Sequence, residues 1–105
     1  FRWLNEFERP RLALSREIGD RLEEGFALMH CGHIEALYLG DYAAGLPQVE
    51  ESLRKTETIT SRLYPLLRLI QIHIELGNYE QAQSLLEEAD TTGRGHAHLT
   101  LLSLP

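Results

Sequence analysis

The chain of 105 residues contains a single cysteine, a single methionine, one tryptophan and four prolines. The lone thiol, Cys31, has no partner for an intramolecular disulfide and cannot build a multi-cysteine zinc site. That sets aside the small stapled folds of secreted proteins and fits a reducing, cytoplasmic setting. Positive charge is scarce as well: ten Lys and Arg stand against sixteen Asp and Glu, for a formal charge of −6. Such a surface repels a phosphate backbone or an anionic bilayer, so neither nucleic acid nor membrane is an expected partner. No apolar run approaches the roughly 18 residues that span a membrane. Phe1-Arg2-Trp3 offers neither an initiator methionine nor a signal peptide, and the expectation is a fragment of a longer protein. Disorder and collagen-like repeats are excluded by 43% apolar and 25% charged residues with only eight glycines. The length suits one domain with one modest core.

What the sequence does have is a period. Leu39-Gly40-Asp41-Tyr42 returns 37 residues later as Leu76-Gly77-Asn78-Tyr79. Apolar stretches precede both copies, Phe26 to Leu37 and Leu66 to Ile74, and glutamate-rich stretches follow, Glu50-Glu51 and Glu87-Glu88. Each unit reads as helix, glycine turn, helix: the glycine takes a left-handed conformation, and Asp41 or Asn78 caps the next helix. Tyr42 and Tyr79 are expected to pack back into the bend. Ala82, Leu85, Leu86 and Ala89 form a stripe suited to close helix stacking. Helices are expected near residues 10–18, 21–39, 42–56, 62–76, 79–91 and 97–104, with a helical turn over Arg2 to Glu8 and no strands. Thr91-Thr92-Gly93-Arg94-Gly95 reads as a breaker between two helices. Pro47 falls inside a helix and predicts a kink near Gly45-Leu46-Pro47, whereas Pro65 reads as a first-turn residue.

Helix pairs at this period, with Leu-Gly-Asp/Asn-Tyr at the turn and Tyr79-x-x-Ala82-x-x-x-Leu86-x-x-Ala89 in the second helix, resemble tetratricopeptide repeats. Arg16 to Arg21 followed by Gly25-Phe26-Ala27-Leu28 is similar to the linkers of such repeats in large bacterial signalling proteins and transcription regulators. The resemblance implies an all-α fold, a right-handed α-solenoid of about two and a half repeats in a single domain spanning 1–105. Its units would be 1–20 (partial), 21–57, 61–94 and 96–105 (partial). Two departures stand out. Gly45 replaces the usual Ala, and Gly32 precedes Gly40 by eight residues where the family has seven. One extra residue in the first helix, as in a π-bulge, would reconcile the spacing and would shift the register of His33 and Glu35.

The resemblance places the partner-binding groove on Ala27, His30, Ile34 and Tyr38 of one unit and on Tyr64, Arg68, Gln71 and Glu75 of the next. The second set needs no analogy to be notable: spacings of 4, 3 and 4 put an aromatic ring, a guanidinium, an amide and a carboxylate on one helix face. That mixture suits peptide recognition. With Arg68 the only cation among them, the carboxylate clamp of chaperone adaptors is not matched.

Catalytic chemistry has little to stand on. No Ser-His-Asp or Cys-His arrangement and no phosphate-binding glycine loop can be assembled, and the adjacent acidic pairs Glu23-Glu24, Glu50-Glu51 and Glu87-Glu88 splay onto solvent. His73, among Ile70, Ile72, Ile74 and Leu76, reads as a core histidine. His30-Cys31-Gly32-His33 with His96 and His98 could contribute metal ligands, but neighbouring side chains diverge on a helix, and no metal or cofactor is expected. The expected function is therefore a non-catalytic protein-interaction module of a bacterial signalling or transcription regulator. The alternative is a structural spacer or self-association segment, since Leu99, Leu101, Leu102 and Leu104 form an apolar end without a polar cap. A third reading is a small metal- or effector-sensing helical domain using His30, His33, His96 and His98.

Overall fold

The computed structural model describes residues 1–102, and the side chains of all of these except 59 and 94–102. The described residues form helices joined by short turns, with no strand among them. Helix α1, Arg9–Ile18, continues from a wide π-turn at Leu4–Glu8. Helix α2, Arg21–His33, runs into a second π-turn at Ile34–Tyr38. Helices α3, Tyr42–Lys55, α4, Ile59–Glu75, and α5, Tyr79–Leu102, follow. Each helix packs against the one before it, and α2 also touches α4.

The turns follow from their residues. Gly19, Gly40 and Gly77 have φ of 74°, 72° and 78°, the left-handed conformation that ends a helix without a Cβ clash. The side chains of Asp20, Asp41 and Thr58 then accept the amide hydrogens of Glu23, Ala44 and Ser61, capping α2, α3 and α4. The sequence expectation of left-handed glycines at residues 40 and 77 and an Asp41 cap agrees with this geometry.

The extra residue between Gly32 and Gly40 is absorbed by the π-turn, where the Leu39 amide donates to the Ile34 carbonyl at 3.0 Å. The same widening precedes Pro10, where the Arg9 amide donates to the Leu4 carbonyl. Proline returns no N–H to the preceding turn and crowds it, so the hydrogen-bond ladder loosens there.

Three expectations about helix limits need correction. The helix α4 begins at Ile59 rather than near residue 62, because Thr58 supplies the cap; Pro65 therefore lies in the second turn and is buried. Pro47, by contrast, lies inside its helix as expected, and that helix continues to Lys55. Both Pro47 and the Ala43 residue whose carbonyl loses its partner are exposed, so water can satisfy that oxygen. The breaker expected at Thr91 to Gly95 does not break: α5 passes through it. Threonines and isolated glycines lower helix propensity by under about 1 kcal/mol each, too little to stop a helix packed along its first three turns. The separate helix expected near 97–104 is thus continuous with α5, and residues 103–105 lie outside the described residues.

Two apolar clusters hold the helices. Leu4, Leu12, Ala27, Leu28, Cys31 and Ile34 join the first helix to α2. Ala36, Val49, Leu66, Leu69, Ile70, Ile72, Leu85 and Ala89 join the end of α2 to α3, α4 and α5. Of the α5 stripe, Ala82, Leu85 and Ala89 are buried and Leu86 is half exposed. Tyr42 packs on the core as expected, but Tyr79 does not: it is 69% exposed. At the crossing of α2 and α3 the backbones come very close at Gly32 and Gly45, and no side chain fits between them.

Candidate functional site

The face shared by α2 and α4 collects most of the residues singled out from sequence. On α4, Tyr64 is exposed, Arg68 donates to the Gln71 Oε1 at 3.1 Å, and Glu75 stands exposed at the C-terminal end. On α2, the Phe26 ring meets the Tyr64 ring edge-on with centroids 6.2 Å apart. His30 and His33 are partly buried, and the Arg68 charge acts on both.

The register differs from the sequence expectation by one residue. Ile34 is not on this face: it is 7% exposed and belongs to the core with Leu28 and Cys31. Ala27 is likewise fully buried. The line that reaches this face is Phe26, His30 and His33, each half-buried, and the exposed Tyr38, with spacings of 4, 3 and 5. The last step spans the π-turn, where residues five apart stack, and the rings of His33 and Tyr38 meet edge-on at 5.5 Å. The eight-residue spacing from Gly32 to Gly40 was the sequence signal for this shift. Phe26 and His33 were the residues that reading missed. Tyr38 is 65% exposed, and its ring also lies 5.8 Å from that of Phe1.

Burial sets the electrostatics of the imidazoles. Desolvation lowers His30 from its ordinary value; Glu8 pulls it back up, and Arg11 and Arg68 push it further down. Desolvation, then Arg68 and His30, lower His33 to about 4. Both are neutral at pH 7. Glu8 is itself buried: its Oε1 accepts from the Trp3 indole at 3.0 Å, and its Oε2 lies 3.6 Å from the Arg11 guanidinium but accepts no hydrogen bond. Desolvation first, and then Glu8 and Glu35, push the buried Cys31 thiol up to about 11, which makes it a poor nucleophile. Glu35 accepts from Arg9 and Gln48 at 2.8 and 2.7 Å, on the side of α2 toward α1 and α3.

Four carboxylates of the adjacent acidic pairs make ion pairs, while Glu50, Glu87 and Glu88 stand on the exposed surface as expected. Glu23 binds Arg11, Glu24 binds Arg16 and Lys55, Glu51 binds Arg54 and Lys55, and Glu88 binds Arg62. His73 is not a core residue; it sits at the partly exposed end of α4, its Nδ1 3.3 Å from the Asn78 amide nitrogen. It borders a depression of about 670 Å³, open to solvent at the α4–α5 turn and lined also by Glu50, Tyr79 and Glu80. That depression lies apart from the α2/α4 face. Among the described residues no three His, Cys, Asp or Glu side chains gather as metal ligands, and the side chains of His96 and His98 lie outside them. No helix is long and apolar enough to cross a membrane among the described residues.

Comparison with protein-family models, with curated proteins and with solved structures finds no match.

Proposed function

We propose that this chain is a non-catalytic peptide-binding module of tetratricopeptide-repeat type, with the α2/α4 face as the concave groove that holds a peptide or a neighbouring domain. The observation that carries the reading is the polar-aromatic face itself, on which Tyr64 and Gln71 are exposed and Phe26, His30, His33 and Arg68 are half-buried. Phe26 and Tyr64 offer an aromatic edge, Arg68 and Gln71 a hydrogen-bonding pair, and His30 and His33 two neutral donor-acceptor rings. Exposed aromatics beside a guanidinium are the usual anchors of a protein-binding surface. The repeat reading is supported by left-handed glycine turns at the same place in both units, by the Gly32–Gly45 crossing, and by α2 meeting α4 as well as α3. A cytoplasmic place in a bacterial signalling or transcription regulator remains the expectation attached to that family.

The test is affinity capture from the source cells with wild-type protein and the Tyr64→Ala/Arg68→Ala variant side by side, after both show equal helical circular dichroism. A partner held by the first and lost by the second supports the groove. Identical catches contradict it.

A second reading, self-association without a separate ligand, has its own observation. Trp3, Phe7, Leu14 and Ile18 line the outer side of the first helix, each more than half exposed, with the Trp3 and Phe7 rings 4.4 Å apart. Such a stripe is a common interface signature. Sedimentation of wild type against Phe7→Lys decides it: a dimer dissociated by the substitution favours this reading, and a monomer in both removes it.

A further inference from the structure

Trp3 is exposed over half its surface, yet its ring is fixed. The indole N–H donates to Oε1 of the buried Glu8 at 3.0 Å, and the ring lies on that of Phe7 with centroids 4.4 Å apart. An aromatic side chain held in place before any partner arrives loses little freedom on binding, which is the property of an interface anchor. The rest of the stripe is aliphatic. Trp3, Phe7, Leu14 and Ile18 are separated by 4, 7 and 4 residues, a spacing that reads the same in both directions.

We infer that this face binds the same face of a second copy, with the two first helices antiparallel about a two-fold axis near Pro10 and Arg11. The inference rests on the self-association reading above and gives it a register. Reversing the stripe sets Trp3 opposite Ile18 of the second copy and Phe7 opposite Leu14, so each bulky ring meets an aliphatic side chain. Every apolar position then finds an apolar partner, which is what an isologous contact requires of one surface.

Charge selects the same direction. Arg2 stands exposed at the N-terminal end of the helix and Glu17 at the C-terminal end, and among the described residues Glu17 makes no ion pair. The antiparallel pair brings Arg2 of each copy to the level of Glu17 of the other. A parallel pair sets Arg2 level with Arg2, Glu17 level with Glu17 and the bulky Trp3 against itself, and aligns the helix dipoles unfavourably. Arg11, nearest the axis, is already compensated by Glu23 at 2.8 Å and Glu8 at 3.6 Å, so two copies of it meet without an unpaired charge.

The four half-exposed side chains offer on the order of 400 Å² of apolar surface per copy, about half of what a standard interface contributes. That area fits a weak, reversible pair that forms as protein concentration rises.

The test reads the face directly, because Trp3 is the only tryptophan in the chain. Sedimentation and tryptophan emission are followed from about 5 to about 500 µM protein, a span wide enough for a micromolar equilibrium. The expected result is a passage from monomer to dimer accompanied by a blue shift of the emission. Phe7→Lys and, at the other end of the stripe, Ile18→Lys should abolish both with unchanged circular dichroism. Direction is read by oxidative cross-linking of Phe7→Cys and Leu14→Cys proteins, with wild type as the control for the buried Cys31. A mixture of the two variants should form disulfide-linked dimers, and either alone should form few. A wild-type monomer throughout the range overturns the inference together with the self-association reading. A dimer that survives both lysine substitutions moves the contact to another face, and efficient linking of Phe7→Cys to itself overturns the antiparallel register; in both cases self-association stands while this inference falls.

Discussion

Gly32 on α2 and Gly45 on α3 face each other so closely that a Cβ on Gly32 would lie 2.6 Å from the Gly45 carbonyl oxygen, and one on Gly45 would lie 2.5 Å from the Gly32 carbonyl oxygen. The contacted atoms are backbone, so a methyl group cannot be accommodated by turning a side chain. Gly32→Ala is expected to destabilise the fold by at least about 1–3 kcal/mol, the usual range for overpacking. Urea denaturation monitored by circular dichroism checks this, and an unchanged midpoint would mean that the helices do not cross there.

Gly93 presents the opposite case. It sits inside α5, and a Cβ on it would meet nothing within 4 Å. Gly93→Ala is expected to stabilise the chain by about 0.5–1 kcal/mol, because alanine loses less backbone freedom in a helix. The sequence expectation of a turn at Thr91 to Gly95 demands the reverse sign if that glycine were left-handed. A thermal melt of the two proteins therefore discriminates between a continuous α5 and a broken one.

Ser52 ties α3 to α2 through a fully buried bond, its hydroxyl donating to the Gly25 carbonyl at 2.7 Å. Ser52→Ala removes the donor and is expected to cost about 1 kcal/mol. Denaturant midpoints at equal m-value measure it; no change would place the hydroxyl elsewhere.

Acid should weaken the fold between about pH 6.5 and pH 4. His33 is lowered to about 4 in the folded chain, so over that window the unfolded chain binds more protons and stability falls as pH falls. His30, lowered chiefly by burial, acts in the same direction. So does Glu24, lowered chiefly by its bond from Arg16: its contribution is present above its ordinary value and lost in acid. The His33 part amounts to about 1–2 kcal/mol between pH 7 and 5 after allowance for partial solvent exposure. His33→Gln is expected to reduce the slope of melting temperature against pH; an identical slope would contradict the burial of that ring.

Much of this architecture was legible in the residues. Gly40 and Gly77 with Asp41 marked the turns because a helix stop and a helix cap each demand a narrow set of side chains. The eight-residue interval from Gly32 to Gly40 pointed to the π-turn. Its consequence was harder to read: the single extra residue moved Ile34 into the core and brought Phe26 and His33 to the face, because the register N-terminal to the turn is fixed by Gly32 meeting Gly45, a tertiary contact. The α5 glycines misled for a related reason. Local propensity favours a break by a small amount, whereas Ala82, Leu85 and Ala89 anchor the helix that continues through them. Glu8 and Arg11 joined the site only through the packing of the first helix on α2, which no local pattern encodes.

The most direct test of the central claim uses a peptide selected by display against this chain. Its dissociation constant is measured for wild type, Tyr64→Ala, Arg68→Ala and, on the far helix α5, Gln83→Ala. The account predicts that the two α4 substitutions weaken binding at least tenfold while Gln83→Ala leaves it unchanged. Equal affinity across all four proteins would contradict an α2/α4 binding face.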